Sequence, residues 1–120
     1  RRIGWVAAEV ARHGGLAVCC PIAPYASARA TARRLAREAG AGFVLVYVST
    51  PIEVCEARDR KGLYAKARAG QLTGMTGVDD PYEAPTDAEL VLDTSGTSVE
   101  LAAAQVLEHL AAAGWIDPRR

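Results

Sequence analysis

The sequence predicts an α/β protein in which a parallel sheet carries helices on both faces. Two apolar runs, 16–22 and 43–48, do not alternate with polar residues, which is typical of strands buried on both faces. Segments with helical periodicity separate these runs. The order helix, strand, helix, strand, helix, helix, loop, strand, helix implies right-handed crossovers. Such sheets bind ligands at the carboxyl ends of their strands, here residues 22–25, 49–50 and 94–97.

Length and charge limit the classes of function. With 120 residues, of which 50% are hydrophobic, the chain is long enough to bury one core and too short for two domains. Its 14 basic and 14 acidic residues give no basic field for nucleic acid or an anionic membrane, so we expect neither partner. No apolar run approaches the roughly 20 residues of a membrane span, and no signal-peptide pattern is present, so we expect a cytoplasmic protein.

The sulfur-containing residues carry two expectations. Cys19, Cys20 and Cys55 lack metal-ligand spacing, and the first two lie in an apolar run, so we expect reduced thiols in the core. The only methionine is Met75, and the chain begins at Arg1. We therefore expect a fragment or a processed product.

Two helices flank the first predicted strand. Apolar residues at helical spacing predict a helix over 2–13 that ends at His13-Gly14-Gly15, where a glycine can supply the C-terminal cap. The run 16–22 predicts a strand bounded by glycine and proline. Ser27 is the expected N-cap of an amphipathic helix over 28–39.

Two more helices follow the second strand, 43–48, whose β-branched and aromatic residues are typical of a central position. The sequence Thr-Pro-Ile-Glu at 50–53 combines a capping box with proline at the first helical position, so a helix begins there. A short helix over 63–69 ends at Gly70.

The last third of the chain predicts a loop, a strand and a helix. Residues 71–85 have no period, and long loops in compact domains are usually functional. Within this loop Asp79 and Asp80 are read as turn formers, with an acid/base pair as the alternative. Residues 89–93 predict a strand, and a capping box at 97–100 begins the last helix. Four apolar positions of that helix are expected to face the sheet: Leu101, Val106, Leu107 and Leu110.

A cluster of cations lies next to the long loop. Five fall within eleven residues, beside glycines that let the backbone close over a ligand. Cations on such a segment suit phosphate transfer, because catalysis there is mostly positioning and charge neutralisation. The alternative is a solvated face of two short helices. The five are Arg58, Arg60, Lys61, Lys66 and Arg68.

Several motifs closely resemble the adenylylsulfate kinase family. Residues 56–70 read Glu-Ala-Arg-Asp-x-Lys-Gly-Leu-Tyr-x-Lys-Ala-Arg-Ala-Gly, residues 76–85 read Thr-Gly-x-Asp-Asp-Pro-Tyr-Glu-x-Pro, and residues 90–94 read Leu-Val-Leu-Asp-Thr. The Arg-Arg-Ile-Gly start at 1–4 and the Pro-Ile-Ala-Pro-Tyr sequence at 21–25 are similar to two further family segments. The resemblance covers the carboxyl-terminal two-thirds of the family's kinase domain.

The resemblance implies a P-loop kinase fold that here lacks the amino-terminal strand and the P-loop. Its activity would be transfer of the ATP γ-phosphate to the 3′-hydroxyl of adenosine 5′-phosphosulfate, with Mg²⁺ bound by residues of the missing upstream segment. Both nucleotides are then partners, together with a second copy in a homodimer or a fused sulfate adenylyltransferase. Residues 1–113 would form the kinase-like domain, and residues 114–120 a tail.

The resemblance also assigns residues, none of them as a catalytic group. Ile22 and Ala23 would contact adenosine 5′-phosphosulfate, and Lys61 would hold its phosphosulfate. Its adenine would be lined by Gly74 and Met75 from the long loop, which acts as a lid.

The ATP side is less complete. Arg58 would lie against the ATP adenine and Thr97 near the same base. The chain has no Gly-x-x-x-x-Gly-Lys-Ser/Thr sequence, so it lacks the backbone cradle for the phosphates. We therefore expect the 120 residues alone to be inactive, and the missing strand to leave an edge that promotes self-association.

Three departures from the family pattern support a second interpretation. Ala23 replaces a common serine, Ala26 an arginine and Met75 a phenylalanine. These changes favour a non-catalytic nucleotide-binding or regulatory module, whereas retention of Lys61 and Arg58 favours the kinase. The module would bind adenosine 5′-phosphosulfate without ATP.

Overall fold

A computed structural model describes residues 2–117 of the chain. Two predicted features extend beyond the described residues: Arg1 of the Arg-Arg-Ile-Gly sequence at 1–4, and residues 118–120 of the predicted tail. The described residues form two compact units: the first contains residues 2–43 and Asp80–Pro85, and the second contains Val44–Asp79 and residues 86–117. The elements are α1 (Arg2–Arg12), α2 (Ala26–Glu38), β1 (Val46–Val48), α3 (Ile52–Arg58), α4 (Leu63–Arg68), β2 (Leu90–Leu92) and α5 (Val99–Ala112).

The α/β class and the parallel pairing are confirmed, because β1 and β2 form a parallel two-stranded sheet. In residues 2–117 no helix is both long and apolar enough to cross a membrane.

In the first unit, α1 packs against α2. The approach is close at Gly4, where a Cβ atom would lie 3.1 Å from the Cβ of Ala32. Ala8 and Ala36 are buried. At the end of α1, Gly14 adopts a φ of 80° and donates its N–H to Ala11, which confirms the predicted glycine cap.

Helix α2 begins at Ala26, so the prediction of Ser27 as N-cap is wrong. Ser27 lies inside the first turn, and its carbonyl accepts a hydrogen bond from the Thr31 hydroxyl at 2.9 Å. The N-cap is Tyr25, whose side chain makes no capping bond. Instead, the Glu83 carboxylate accepts the N–H of Ala26 at 2.6 Å. A carboxylate at this position also suits the positive end of the helix dipole.

The predicted strand over 16–22 is wrong. These residues join no strand ladder among the described residues, and Val18 is 81% exposed. Cys19 and Cys20 are also exposed, so their prediction as buried core thiols is wrong as well. The apolar run predicts burial, but a strand needs a neighbour with which to exchange backbone hydrogen bonds. No described segment takes that role.

In the second unit, β1 and β2 pair over three residues each and are shorter than the predicted strands 43–48 and 89–93. Before the ladder, the Leu45 N–H donates to the Glu89 carboxylate at 2.7 Å, so a side chain replaces a strand partner there. After the ladder, the Ser49 N–H donates to the Leu92 carbonyl at 2.7 Å. The register pairs Val46 with Leu90, Tyr47 with Val91 and Val48 with Leu92.

Helix α3 begins at Ile52, one residue after the predicted first helical position at Pro51, and the predicted capping box does not form. Pro51 is the N-cap, and no side chain caps the helix. The Thr50 hydroxyl lies 2.7 Å from the Thr94 hydroxyl and accepts the Thr94 N–H at 3.0 Å. It therefore joins the ends of the two strands instead of starting the helix. The predicted end of α4 is confirmed, with Gly70 at a φ of 69°.

Helix α5 is capped by Ser98, whose hydroxyl accepts the Leu101 N–H at 3.1 Å. The predicted capping box from Thr97 is therefore displaced by one residue, and the Thr97 hydroxyl donates to the Asp93 carbonyl at 3.5 Å. The helix contacts β2. Leu101 and Leu107 are exposed, so the prediction that all four apolar positions face the sheet is wrong for these two.

Ser98→Ala is expected to lower the free energy of unfolding by about 1 kcal/mol, because the Leu101 N–H loses its acceptor. Urea unfolding followed by circular dichroism measures this change. Thr97→Ala is the control, since its 3.5 Å bond satisfies no free N–H of the helix. A larger loss for Thr97→Ala than for Ser98→Ala would show that Thr97 is the cap.

Candidate functional site

The carboxyl ends of β1 and β2 carry a polar cluster, as expected for a parallel sheet. Thr50 and Thr94 share a hydrogen bond there. The Arg58 guanidinium donates through Nη2 to the Thr94 carbonyl at 2.6 Å and through Nη1 to its hydroxyl at 3.0 Å. Arg58, which is exposed at the end of α3, is therefore held at the edge of the sheet.

The turn after β2 brings Thr97 to the same place. Its N–H donates to the Thr94 carbonyl at 3.3 Å, which is also the acceptor for Arg58. Asp93 accepts the Ser95 N–H at 2.8 Å. The pKa of Asp93 is lowered, first by hydrogen bonding from the Ser95 side chain and also by the positive charge of Arg58. The two predicted ATP-binding residues, Arg58 and Thr97, thus both contact Thr94.

Lys61 occupies the tight turn between α3 and α4. The Asp59 carboxylate accepts the N–H groups of Tyr64 at 3.1 Å and Ala65 at 3.0 Å, which satisfies the start of α4. These bonds, chiefly the one from Ala65, lower the pKa of Asp59. Gly62 completes the turn at a φ of 65°, where a side chain would be strained. The turn leaves Lys61 exposed.

The five cations of the cluster differ in how they are used. Arg68 is hydrogen-bonded to the Glu56 carboxylate, which raises the pKa of Arg68, and Arg58 is held by Thr94. No hydrogen bond or ion pair within residues 2–117 reaches the side chains of the three others. The prediction of a solvated face therefore applies to those three, which are also the ones able to receive an anion: Arg60, Lys61 and Lys66.

In the long loop over 71–85, for which the resemblance predicts a lid, Asp79 forms a turn around Gly74 and Met75. Its carboxylate accepts the N–H of Gly74 at 2.7 Å and that of Met75 at 2.6 Å. These bonds, the one from Gly74 first, lower the pKa of Asp79. Asp79 is thus a turn former, and a carboxylate with a lowered pKa is poorly suited to act as a general acid or base near neutral pH.

The Asp79 turn is expected to depend on pH at the acidic end. Because the folded pKa lies below the usual 3.8, the turn is fully stable above that value and is lost as pH falls through the lowered folded pKa. Amide chemical shifts of Gly74 and Met75, followed by NMR during an acid titration, should change with a midpoint below 3.8. Asp79→Asn should abolish the transition. A midpoint at or above 3.8 would contradict the assignment.

In the first unit, Ile22 and Ala23 follow the exposed 16–21 segment. Ile22 is 70% exposed. Ala23 has a φ of 44° and is the one non-glycine residue in the described part of the chain whose φ lies in the left-handed region. Its carbonyl accepts Arg29 Nη1 at 2.7 Å. Nearby, the Tyr25 hydroxyl donates to the Asp80 carboxylate at 3.3 Å, and the charge of Asp80 raises the pKa of Tyr25.

Sequence reasoning missed Arg29 and Glu83. Arg29 is 7% exposed and donates to the Ala23 carbonyl and, at 2.5 Å, to the Glu83 carbonyl. The available signal is its phase on α2, since position 29 shares the face of Ala32 and Ala36, whereas Arg34 points away from that face. A charged residue on an apolar face needs a partner, and the Glu83 segment supplies one.

The structure thus joins Arg58 with Thr97, and Gly74 with Met75, within the second unit, while Ile22 and Ala23 lie in the first. No group of three or more His, Cys, Asp or Glu in residues 2–117 could hold a metal ion.

Comparisons with known proteins agree on one family. The profile of the adenylylsulphate kinase family matches residues 1–93. The sulfate adenylyltransferase of Mycosarcoma maydis is 59% identical over 101 residues, which cover 82% of this chain and 18% of that protein. The sulfate adenylyltransferase of Emericella nidulans is 47% identical over 117 residues, covering 98% and 20%. The chain thus spans about a fifth of the length of these fungal relatives.

Solved structures support the same assignment. The APS kinase of Mycobacterium tuberculosis, in complex with AMPPNP and APS, has a TM-score of 0.87 and 42% identity, over 92% of this chain and 63% of that one. A hexameric APS kinase from Thiobacillus denitrificans has a TM-score of 0.69 and 32% identity, over 98% and 18%. The P-loop kinase fold inferred from the motifs is confirmed by these neighbours, and the chain belongs to the adenylylsulphate kinase family.

Proposed function

We propose that this chain is part of an adenylylsulfate kinase, which transfers the γ-phosphate of ATP to the 3′-hydroxyl of adenosine 5′-phosphosulfate. In this reaction the 3′-oxygen bonds to the γ-phosphorus, the bond from that phosphorus to the bridging oxygen of ADP breaks, and the hydroxyl proton is released. The observation that carries the proposal is the turn that presents Lys61, an exposed cation, within a family-specific motif. Positioning of anionic groups by such cations is what phosphoryl transfer requires.

The substrate nucleotide is assigned to five residues. Lys61 would bind its phosphosulfate as a compact point charge. The resemblance implies that Gly74 and Met75 would line its adenine, and the Asp79 carboxylate fixes the backbone of both residues. The Met75 thioether gives a flexible apolar contact in place of an aromatic stack. Ile22 and Ala23 are assigned to the same nucleotide by the family resemblance alone.

ATP is assigned to Arg58 and Thr97. Both Nη atoms of Arg58 are hydrogen-bonded to Thr94, and a guanidinium can also stack on an aromatic ring through its flat face. We therefore propose that Arg58 contacts the adenine of ATP through this face, and that Thr97 lies beside the same base. Mg²⁺ would be held by residues outside the part of the chain that the structure describes.

We propose that the working enzyme contains more than these 120 residues. The fungal relatives are named sulfate adenylyltransferases, which suggests a parent that joins the two activities, and one structural neighbour is hexameric, which suggests association of copies. Residues 1–113 would be the kinase part and 114–120 a tail. Because the 120 residues contain no P-loop motif, we expect them alone to bind adenosine 5′-phosphosulfate without phosphorylating it.

Calorimetric titration of the purified chain, and a product assay on the intact parent, test the proposal together. We expect adenosine 5′-phosphosulfate to bind the chain, and the parent with ATP and Mg²⁺ to form the 3′-phosphorylated product. Binding to the chain with no product from the parent would favour the non-catalytic module, which Ala23, Ala26 and Met75 suggest. Absence of binding to the chain would contradict both interpretations.

A further inference from the structure

The guanidinium of Arg29 is buried, and no carboxylate of residues 2–117 forms an ion pair with it. The residue is 7% exposed, and its two hydrogen bonds go to backbone carbonyls, that of Ala23 at 2.7 Å and that of Glu83 at 2.5 Å. The ring of Tyr82 lies 5.8 Å from Cζ and adds a cation–π contact. Burial of a charge is costly unless its hydrogen bonds are satisfied. Arg29 uses two hydrogen bonds to hold two separate segments.

The first of these segments is strained. Ala23 has a φ of 44°, in the left-handed region that residues with a Cβ atom disfavour. Such conformations persist where the surrounding structure over-determines them, and they concentrate at ligand-binding sites. The bond from Arg29 to the Ala23 carbonyl supplies that constraint.

The second segment is the end of the lid loop. The Glu83 N–H donates to the Pro24 carbonyl at 2.9 Å, and the Glu83 carboxylate accepts the Ala26 N–H at 2.6 Å. Together with the Arg29 bond, these contacts attach Glu83 to the loop that carries Ala23. We call Arg29, Ala23 and Glu83 the Arg29 clasp.

We infer that Arg29 is a positioning residue for the adenosine 5′-phosphosulfate subsite. It would touch no ligand, and would act by holding Ala23 in its strained conformation against the anchored end of the lid. This inference rests on the proposed function, in which Ala23 contacts that nucleotide. If Arg29 had a purely structural role, its substitution would lower the stability of the first unit. The accompanying loss of affinity would then be the same whether residue 23 is alanine or glycine.

The test is calorimetric titration of the 120-residue chain and its variants with adenosine 5′-phosphosulfate. Arg29→Gln, which cannot reach both carbonyls, should weaken binding roughly tenfold or more, since misplacement of contact groups by about an ångström has effects of this size. Arg29→Lys offers one ammonium in place of a fork and should give an intermediate loss. The matched control is Arg33→Gln, on the same helix, where Cζ lies 4.8 Å from the Phe43 ring centroid. It should lower the melting temperature while leaving the affinity for adenosine 5′-phosphosulfate within about twofold. A substitution that shares no partner with a binding site usually leaves the binding free energy of that site unchanged.

A double-mutant cycle separates positioning from stability. Glycine adopts a φ of 44° without strain, so the Ala23 conformation depends less on Arg29 once residue 23 is glycine. The loss caused by Arg29→Gln should therefore be smaller in the Ala23→Gly background than in the wild-type chain. If Arg29→Gln does not fold, Arg29→Lys with and without Ala23→Gly carries the same comparison.

The outcomes are distinguishable. If the wild-type chain does not bind adenosine 5′-phosphosulfate, the proposed function fails, and this inference fails with it. If the wild-type chain binds and folded Arg29 variants bind within about twofold of it, the positioning role is overturned while the proposed function stands. If Arg29→Gln causes the same loss of affinity with alanine and with glycine at residue 23, the positioning role is also overturned and Arg29 has a structural role only.

Discussion

Lys61→Ala is expected to weaken binding of adenosine 5′-phosphosulfate by about 10- to 150-fold, because a hydrogen bond to a charged group contributes roughly 1.5–3 kcal/mol. Lys61 is exposed, and its ammonium has no partner in residues 2–117, so its removal costs the fold no contact. The loss should therefore appear in affinity and leave the melting temperature unchanged. Calorimetric titration and a thermal scan of the same sample measure both quantities.

Lys66→Ala is the matched control. Lys66 is an exposed cation of α4, also without a partner in the described part of the chain. If Lys61 binds the ligand directly, Lys66→Ala should alter affinity about twofold or less, because the field of an exposed charge is screened within roughly 10 Å at 0.1 M salt. Similar losses in the two variants, both removed by salt, would indicate a diffuse positive surface instead of a phosphosulfate contact.

Leu92→Ala is expected to lower the free energy of unfolding of the second unit by about 2–4 kcal/mol. Leu92 is 7% exposed, and among the described residues the other buried hydrophobic side chains are the small ones of Ala8 and Ala36. The substitution would therefore truncate the one buried hydrophobic side chain among the described residues of the second unit. Urea unfolding followed by circular dichroism and by the fluorescence of Trp115, which lies in the same unit, gives the change in free energy.

Val91→Ala is the control for this prediction. Val91 precedes Leu92 in β2 and points to the opposite face, where it is 57% exposed. It should cost less than about 1 kcal/mol, the range spanned by strand propensity. Comparable losses at the two positions would mean that the ladder, and not the burial of Leu92, stabilises this unit.

The helices were predictable from the sequence because their signals are local. The apolar spacing of α1 and the glycines after α1 and α4 act within one or two turns, so the ends of these helices agree with the prediction to within one residue. The strand over 16–22 was not predictable in the same way. Its apolar run indicates burial, but a strand also needs a neighbouring strand, and no local pattern shows whether the fold supplies one.

At the candidate site, the partner of the Thr50 hydroxyl also could not be predicted from the local sequence. The pattern at 50–53 predicts a cap, yet the Thr50 hydroxyl contacts Thr94, which is 44 positions away in sequence. The cation cluster was predictable as a cluster. Its division into Arg58 and Arg68, which have partners, and a free Lys61 was not, because that division depends on contacts across the fold. The Arg29 clasp was missed for the same reason.

The short ladder between β1 and β2 determines which backbone amides should exchange slowly with solvent deuterium. Only three residue pairs build it, and the bonds at its ends come from the N–H groups of Leu90 and Ser49. Protection against exchange reflects the free energy needed to open each hydrogen bond, and it is lowest where few buried contacts must be broken. In the second unit the protected amides should therefore cluster beside Leu92, while those of Gly74 and Met75, whose acceptor is one exposed carboxylate, should exchange early. The proposed lid would then open and close without unfolding the sheet edge at which Arg58 is held.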